Sequence, residues 1–246
     1  MRRFAPSLVV AVLLSLTSAI VAEAFPSQIQ EREKALAWIV GGTLVATFPK
    51  TMEKDLRAFS DRFNRQYREG FALSDLRVAG SDNHWHVGLK GKVLLPVTAS
   101  ACRFHRSGGK MLATLWLSNL HEALAHLASP QQRKPVTLGG RSWMEGPVSW
   151  YGGSRWRGKR TASGEVFDDR QLTAAAVDLP FGTLVRLSNK RNGRSVVVRV
   201  TDRFGGHKGR LLDISQAAAE VLGIKGQGVA NLTIEILGRT TRVGGN

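Results

Sequence analysis

The C-terminal third constrains the fold most, because from Thr183 onward the chain is a succession of short alternating segments separated by turn residues. Thr183-Leu184-Val185-Arg186-Leu187 and Ser195-Val196-Val197-Val198-Arg199-Val200 are strand-like and flank Asn192-Gly193, a strong hairpin pair in a loop longer than two residues. Ser215 can cap a helix running through Ala217, Ala218, Ala219, Val221 and Leu222, and Gly223 can stop it. Asn231 to Leu237 alternates once more. Many short strands with one helix predict a small barrel.

The other end of the chain reads as an export signal. Arg2 and Arg3 precede an uncharged run from Phe4 to Ala22, and Ala22-Glu23-Ala24 is a small-x-small cleavage site. The strongly apolar part, Leu8 to Ala22, is shorter than the roughly 20 residues a membrane-spanning helix needs. The expectation is therefore a signal peptide over 1–24 and an exported protein of the periplasm or cell envelope. A retained anchor is the weaker reading of the same run. Cys102 is the only cysteine, so no internal disulfide can form and the fold must rest on packing. That cysteine reads as a small buried apolar residue.

A formal net charge of +16 attracts polyanions. With a signal peptide in front, anionic wall polymer or membrane surface is the expected partner and nucleic acid is not. A basic surface that serves only solubility accounts for the charge equally well.

Residues 25–130 read as a small α+β domain. Leu56, Phe59, Phe63 and Tyr67 recur at helical spacing after Met52. A second helix is expected through Leu112, Leu115, Trp116, Leu120, Ala123, Leu124 and Leu127, ended by Pro130. Trp85, Val87 and Leu89, then Val93 to Val97, form a hairpin around Lys90-Gly91-Lys92. Trp38 to Phe48, broken by Gly41-Gly42, reads as a buried strand or short helix. His84 and His86 share a face of the hairpin, but no third ligand follows at a recognisable spacing, so no metal is expected. No catalytic constellation stands out here. Residues 131–145 read as a linker, 146–238 as the barrel and 239–246 as a flexible tail.

Several ordered blocks carry a resemblance. They are Val148-Ser149-Trp150-Tyr151-Gly152, Gly158 to Glu165, Leu172-Thr173-Ala174-Ala175, Leu179-Pro180-Phe181-Gly182-Thr183, Asn192 to Val196, Thr201-Asp202-Arg203 and Gly209 to Ser215. In this order they resemble the rare lipoprotein A family. The resemblance implies a mainly β C-terminal domain, a six-stranded double-psi β-barrel. It also implies an endolytic lytic transglycosylase that cuts peptidoglycan glycan strands to 1,6-anhydro-muramyl ends in wall remodelling, some members preferring strands stripped of stem peptides. Other members have no evident activity. No cysteine stands near the expected cleavage site, so the lipid attachment in the family's name is not expected here.

Such cleavage needs an acid to protonate the leaving oxygen, because the oxocarbenium-like transition state cannot expel a bare alkoxide. The acceptor is the sugar's own 6-hydroxyl, so one group that gives and then takes a proton can serve both halves. The resemblance assigns the catalytic aspartate to Asp202 and a second acidic position to Glu165, which could orient the sugar or tune Asp202 by like charge. Asp202 could instead be a turn-initiating residue, and Arg203 could hold it ionised. Asp213 matches a further family aspartate, although its place before Ser215 suits a structural role. Trp150, Tyr151, Thr161, Arg203, His207 and Asp213 are the expected substrate-binding residues. Trp156 is another flat ring on which a sugar could stack, though aromatic residues of a small barrel usually fill its core.

One departure stands out. Family members that cut glycans place a histidine where this chain has Ala176, which can neither carry a proton nor bond a sugar. His207 is a candidate substitute. The alternative to an enzyme is a non-catalytic peptidoglycan-binding or wall-loosening barrel, similar to expansin-type modules. A third reading is an envelope adaptor for a protein or anionic lipid, with any envelope or division partner unidentified. No organic or metal cofactor is called for.

Overall fold

The computed structural model describes residues 26–82, 84–128, 136–137, 140–205, 209–239 and 242–243. The expected signal peptide, His207 and residues 131–135 and 138–139 of the expected linker lie outside the described residues.

The first region begins with an antiparallel sheet of β1 (Ser27–Glu31), β2 (Leu36–Val40) and β3 (Thr43–Phe48). The apolar stretch from Trp38 to Phe48 is therefore neither one strand nor a helix but a hairpin. Gly41 and Gly42 form its turn at φ of 53° and 78°, which an L side chain adopts only with strain. Helix α1 (Glu53–Glu69) follows and buries Leu56, Phe59 and Phe63 on one face, as its spacing predicts.

Strands β4 (Phe71–Ala72), β5 (Leu76–Ala79), β6 (His86–Leu89) and β7 (Lys92–Pro96) come next, with β5, β6 and β7 in a second antiparallel sheet. Short α2 (Ala99–His105) is capped by the Thr98 hydroxyl, and it leads to the long α3 (Gly109–Leu127). Cys102, on α2, is free and only partly buried, packed at the margin of the core rather than sealed inside it.

The second region is a closed barrel. It is formed by β8 (Trp143–Tyr151), β9 (Thr173–Ala176), β10 (Thr183–Asn189), β11 (Arg194–Asp202), β12 (Leu212–Ser215) and β13 (Val229–Arg239). Around the barrel the order is β10-β11-β9-β12-β8-β13, and β13 returns to β10. Two pairings, β11 with β9 and β12 with β8, are parallel, so the barrel is not a meander of hairpins. Helix α4 (Gln216–Leu222) is capped by the Ser215 hydroxyl and closed by Gly223 at φ 70°, as its sequence predicts.

The two regions share one apolar core. Helix α3 packs on β3 and also on β11 and α4, which explains why it is buried on more than one face. Polar ties reinforce the junction. The Gln171 side chain pairs with both backbone groups of Val78, the Ser118 hydroxyl accepts from the Val197 amide, and Arg186 is 2.6 Å from Glu122. After the barrel, β14 (Arg242–Val243) pairs with β4, so the chain returns to its first region.

Candidate active site

The site is built at the ends of four adjacent barrel strands. Register places Asp202 beside Ala175, Ala175 beside Asp213, and Asp213 beside Ser149, across β11, β9, β12 and β8. Residues opposite one another in a sheet project to the same face, so these four form a row. An irregularity between Val200 and Asp202 lets the aspartate join it. Tyr151 follows Ser149 by two on β8 and so stands over the same face.

Asp202 is partly exposed, and its carboxylate is fixed by three donors. Oδ1 accepts from the amides of Ala162 at 2.9 Å and Arg203 at 2.8 Å, and Oδ2 accepts from the Tyr151 hydroxyl at 3.3 Å. The Arg203 side chain does something else. It reaches the Asp202 carbonyl at 3.2 Å and lies 3.8 Å over the Phe181 ring, so the backbone of Arg203, not its guanidinium, steadies the carboxylate.

Tyr151 stacks on Phe167 at 4.6 Å. Burial raises the phenol's pKa, and the charges of Asp202 and Asp213 raise it further, so Tyr151 stays a neutral donor. Asp213 accepts from the Ser149 hydroxyl at 2.8 Å, and Ser149 in turn accepts from Arg210 at 2.7 Å. Burial nonetheless holds the Asp213 carboxyl above the usual range, with Ser149 and Arg210 opposing the shift.

The loop between β8 and β9 is held by a buried residue that sequence reasoning passed over. Asp169, 2% exposed, accepts from the Gly153 amide at 2.8 Å and from two nitrogens of Arg157. Gly152 permits this approach, since a Cβ there would lie 3.1 Å from the Cβ atoms of Asp169 and Gln216. The available signal was an aspartate in a loop that also carries a glycine pair and several arginines, and it is a weak one. The loop holds Trp156 on the surface, 42% exposed, with Arg155 and Lys159 each 5.3 Å from its ring centre.

Other expected residues fall in different places. Glu165 is paired through both oxygens with Arg199, at 2.6 and 2.8 Å, and this guanidinium holds its carboxyl below the usual range. It is an anion with a dedicated partner. Thr161 is buried, its hydroxyl bonded to Ser163 and to the Glu165 carbonyl, and it shapes the loop that offers the Ala162 amide to Asp202. Trp150 alternates away from the Asp202 row, and its indole N–H donates to the Lys225 carbonyl at 3.1 Å. Ala176 pairs with Leu212 and, like Ala174, lies in the apolar core, whereas Ala175 between them belongs to the row of aspartates.

Residues 144–234 match a family model described as lytic transglycolase. A probable endolytic peptidoglycan transglycosylase of Nostoc sp. is 53% identical over 96 residues, covering 39% of this chain and 26% of that protein. Its counterpart in Synechocystis sp. is 49% identical over 92 residues, covering 37% and 28%. An endolytic peptidoglycan transglycosylase of Neisseria meningitidis is 48% identical over 90 residues, covering 37% of each chain. The chain thus spans 26% to 37% of the length of these relatives, and the shared part is the barrel. Glu165, Asp202 and Asp213 all lie within the matched residues.

Proposed function

We propose, from a C-terminal barrel that belongs to the lytic transglycosylase double-psi family, that this chain cleaves peptidoglycan glycan strands endolytically, leaving 1,6-anhydro-muramyl ends. The observation that carries the reading is the partly exposed Asp202 carboxylate, fixed by three donors on the face that also holds Tyr151 and Asp213. A carboxylate so placed can stabilise positive charge developing at the anomeric carbon without reorganising during reaction. Electrostatics suit a long anionic wall polymer, since Arg155, Lys159, Arg203 and Arg210 sit on or beside exposed or half-buried rings at the rim. Trp156 offers a ring on which a sugar can stack.

Export to the periplasm or cell envelope, where such strands lie, completes the reading. Its support is the charged, apolar and small-residue order of 1–24.

The test is incubation of the purified protein with intact and with peptide-stripped peptidoglycan, followed by mass spectrometry. Anhydro-muramyl products are expected, and Asp202→Asn is expected to lower their formation by about 10² to 10⁴-fold while the melting temperature holds. Glycan binding with no product from either substrate overturns the enzyme and leaves a binding barrel. Reducing-end products carrying an added water would overturn the transglycosylase in favour of a hydrolase.

A further inference from the structure

We infer that Trp156, Arg155 and Lys159 form a subsite beside Asp202 for a sugar that carries a carboxylate, the sugar ring stacking on Trp156 and the acid pairing with the two cations. The inference rests on the glycan-cleaving reading above and names the kind of sugar that site selects. Its first ground is position. Tyr151 donates its hydroxyl to Asp202, and the Trp156 ring meets the Tyr151 ring edge-on, with centres 6.3 Å apart. A sugar lying on Trp156 is therefore the neighbour of one lying at Asp202.

The second ground is that the loop is built before any ligand arrives. The Trp156 and Arg157 amides both donate to the Gly153 carbonyl at 3.1 Å, and the Lys159 amide donates to the Trp156 carbonyl at 3.1 Å. Gly158 donates to the Phe167 carbonyl at 2.9 Å, and Phe167 donates to the Lys159 carbonyl at 2.8 Å. The buried Asp169 carboxylate clamps the same loop through Arg157 and the Gly153 amide. A ring mounted in this way loses little freedom on binding. Residues 154–160 are nevertheless exposed, so an ordered backbone presents an open surface.

The third ground is charge. Arg157 is bound to Asp169, and Arg160 donates to the Gly164 carbonyl at 2.8 Å. Arg155 and Lys159 have no carboxylate partner among the described residues, and each stands 5.3 Å from the centre of the Trp156 ring. An exposed contact between a cation and a ring is weaker than a charge-assisted hydrogen bond, so an arriving carboxylate draws both cations to itself. The ring face they leave is flat and apolar, and the C–H groups of a pyranose fit it. A neutral sugar would use the ring alone and a free anion the cations alone. Only a sugar with an acid on or near its ring uses all three. In a wall glycan that acid has two sources, the lactyl group of a muramyl residue without its peptide and the stem peptide of one that keeps it.

The experiment measures dissociation constants by calorimetry in about 0.15 M salt, where charges more than a Debye length away are screened. The three ligands are peptide-stripped strands, the same strands with their carboxyls converted to methylamides, and intact strands. The parent should bind at least one of the two acidic forms about 10-fold more tightly than the methylamide. Arg155→Gln with Lys159→Gln should lose that margin while binding the methylamide as the parent does. Trp156→Ala should weaken all three by about 10-fold. Arg65→Gln with Lys92→Gln removes the same charge from exposed positions of the first region and should keep the margin intact. Loss confined to stripped strands assigns the acid to the lactyl group, and loss confined to intact strands assigns it to the peptide.

Equal loss from the two double variants, or equal affinity of the parent for acid and methylamide, overturns the subsite. A parent that shows the margin but forms no anhydro-muramyl ends overturns the transglycosylase reading and leaves the subsite as a binding site. A parent that binds none of the three glycans overturns both.

Discussion

The two regions bury different things. Residues 26–128 are built on rings, with Trp38, Phe48, Phe63, Phe71 and Trp116 all 2% exposed or less and in two sets of edge and tilted contacts, Trp38 with Phe63 and Phe71, and Phe48 with Trp116. Among its described residues, the barrel buries Val, Leu, Ile and Ala, with Phe167 its one buried ring. Of its other aromatic residues, Tyr151, Trp156, Phe181 and Phe204 sit near the Asp202 face beside cations or carboxylates, whereas Trp143 lies beside Lys190 and Trp150 donates to the Lys225 carbonyl. The buried charge follows the same division, since Asp169 belongs to the barrel. A region that packs rings inside is spending them on stability, and one that keeps them at the rim has them free to meet a ligand.

If the first region is the stabilising partner, its loss should be felt in the barrel. Trp116→Ala on α3 removes a ring packed 4.9 Å from Phe48, on the helix that also covers β11. Such truncations cost about 3 to 5 kcal/mol. The expected outcome is one unfolding transition at lower denaturant, with far-ultraviolet circular dichroism and tryptophan fluorescence coincident. Two separated transitions, with only one displaced, would show that the shared core does not couple the regions.

A second variant probes the junction from the barrel side. Arg199 has a side chain only 12% exposed and depends on Glu165, which is 29% exposed. Removing one partner of a buried pair strands the other, at 3 to 5 kcal/mol when fully buried, and partial solvation here reduces that to about 1 to 2 kcal/mol. Glu165→Gln should therefore lower stability by that amount, and Glu165→Gln with Arg199→Gln should recover part of it. A rise in KM at unchanged stability would instead put Glu165 on the sugar.

The local elements of both regions could be read from the sequence, while the contacts between them could not. Leu56, Phe59 and Phe63 fixed the buried face of α1, Ser215 and Gly223 bounded α4, and the Asn192-Gly193 turn joined β10 to β11, because each depends on neighbours a few residues away. The parallel pairings of β11 with β9 and β12 with β8 carry no such mark, since both partners are short runs that would fit many positions. The hairpin at Gly41-Gly42 was missed because apolar residues on both sides masked the turn. At the site, ordered blocks pointed to Asp202, but Tyr151, Ser149 and Arg210 gained their roles only when the strand register was known. Glu165 looked free because Arg199, 34 residues away, gives no local signal.

The smallest effect at neutral pH, and the sharpest test of the junction, concerns His121 on α3. Both ring nitrogens are buried without a hydrogen-bond partner, and the Thr173 and Thr201 hydroxyls of the barrel share that condition. All three residues line a cavity of about 20 Å³ between the regions, room for one water. Burial, and secondarily the charge of Arg199, pushes the His121 pKa down to about 3 from 6.5. The folded protein therefore refuses a proton that the unfolded chain accepts. Stability is complete above pH 6.5, falls by at most about 1.4 kcal/mol per unit as pH drops toward 3, and levels off below. Glu165, whose carboxyl is lowered, adds its own loss only at the acid end of this window, below its ordinary value of 4.5. His121→Leu should change stability at pH 7 by less than about 1 kcal/mol, because an unpaired polar group gives way to an apolar one. Between pH 6.5 and 5 the parent's denaturation midpoint should decline relative to the variant's, the contribution of Asp213, whose carboxyl burial raises, being common to both. Equal slopes over that interval would mean that His121 is solvated in the folded protein, and that the regions meet more loosely than their common core implies.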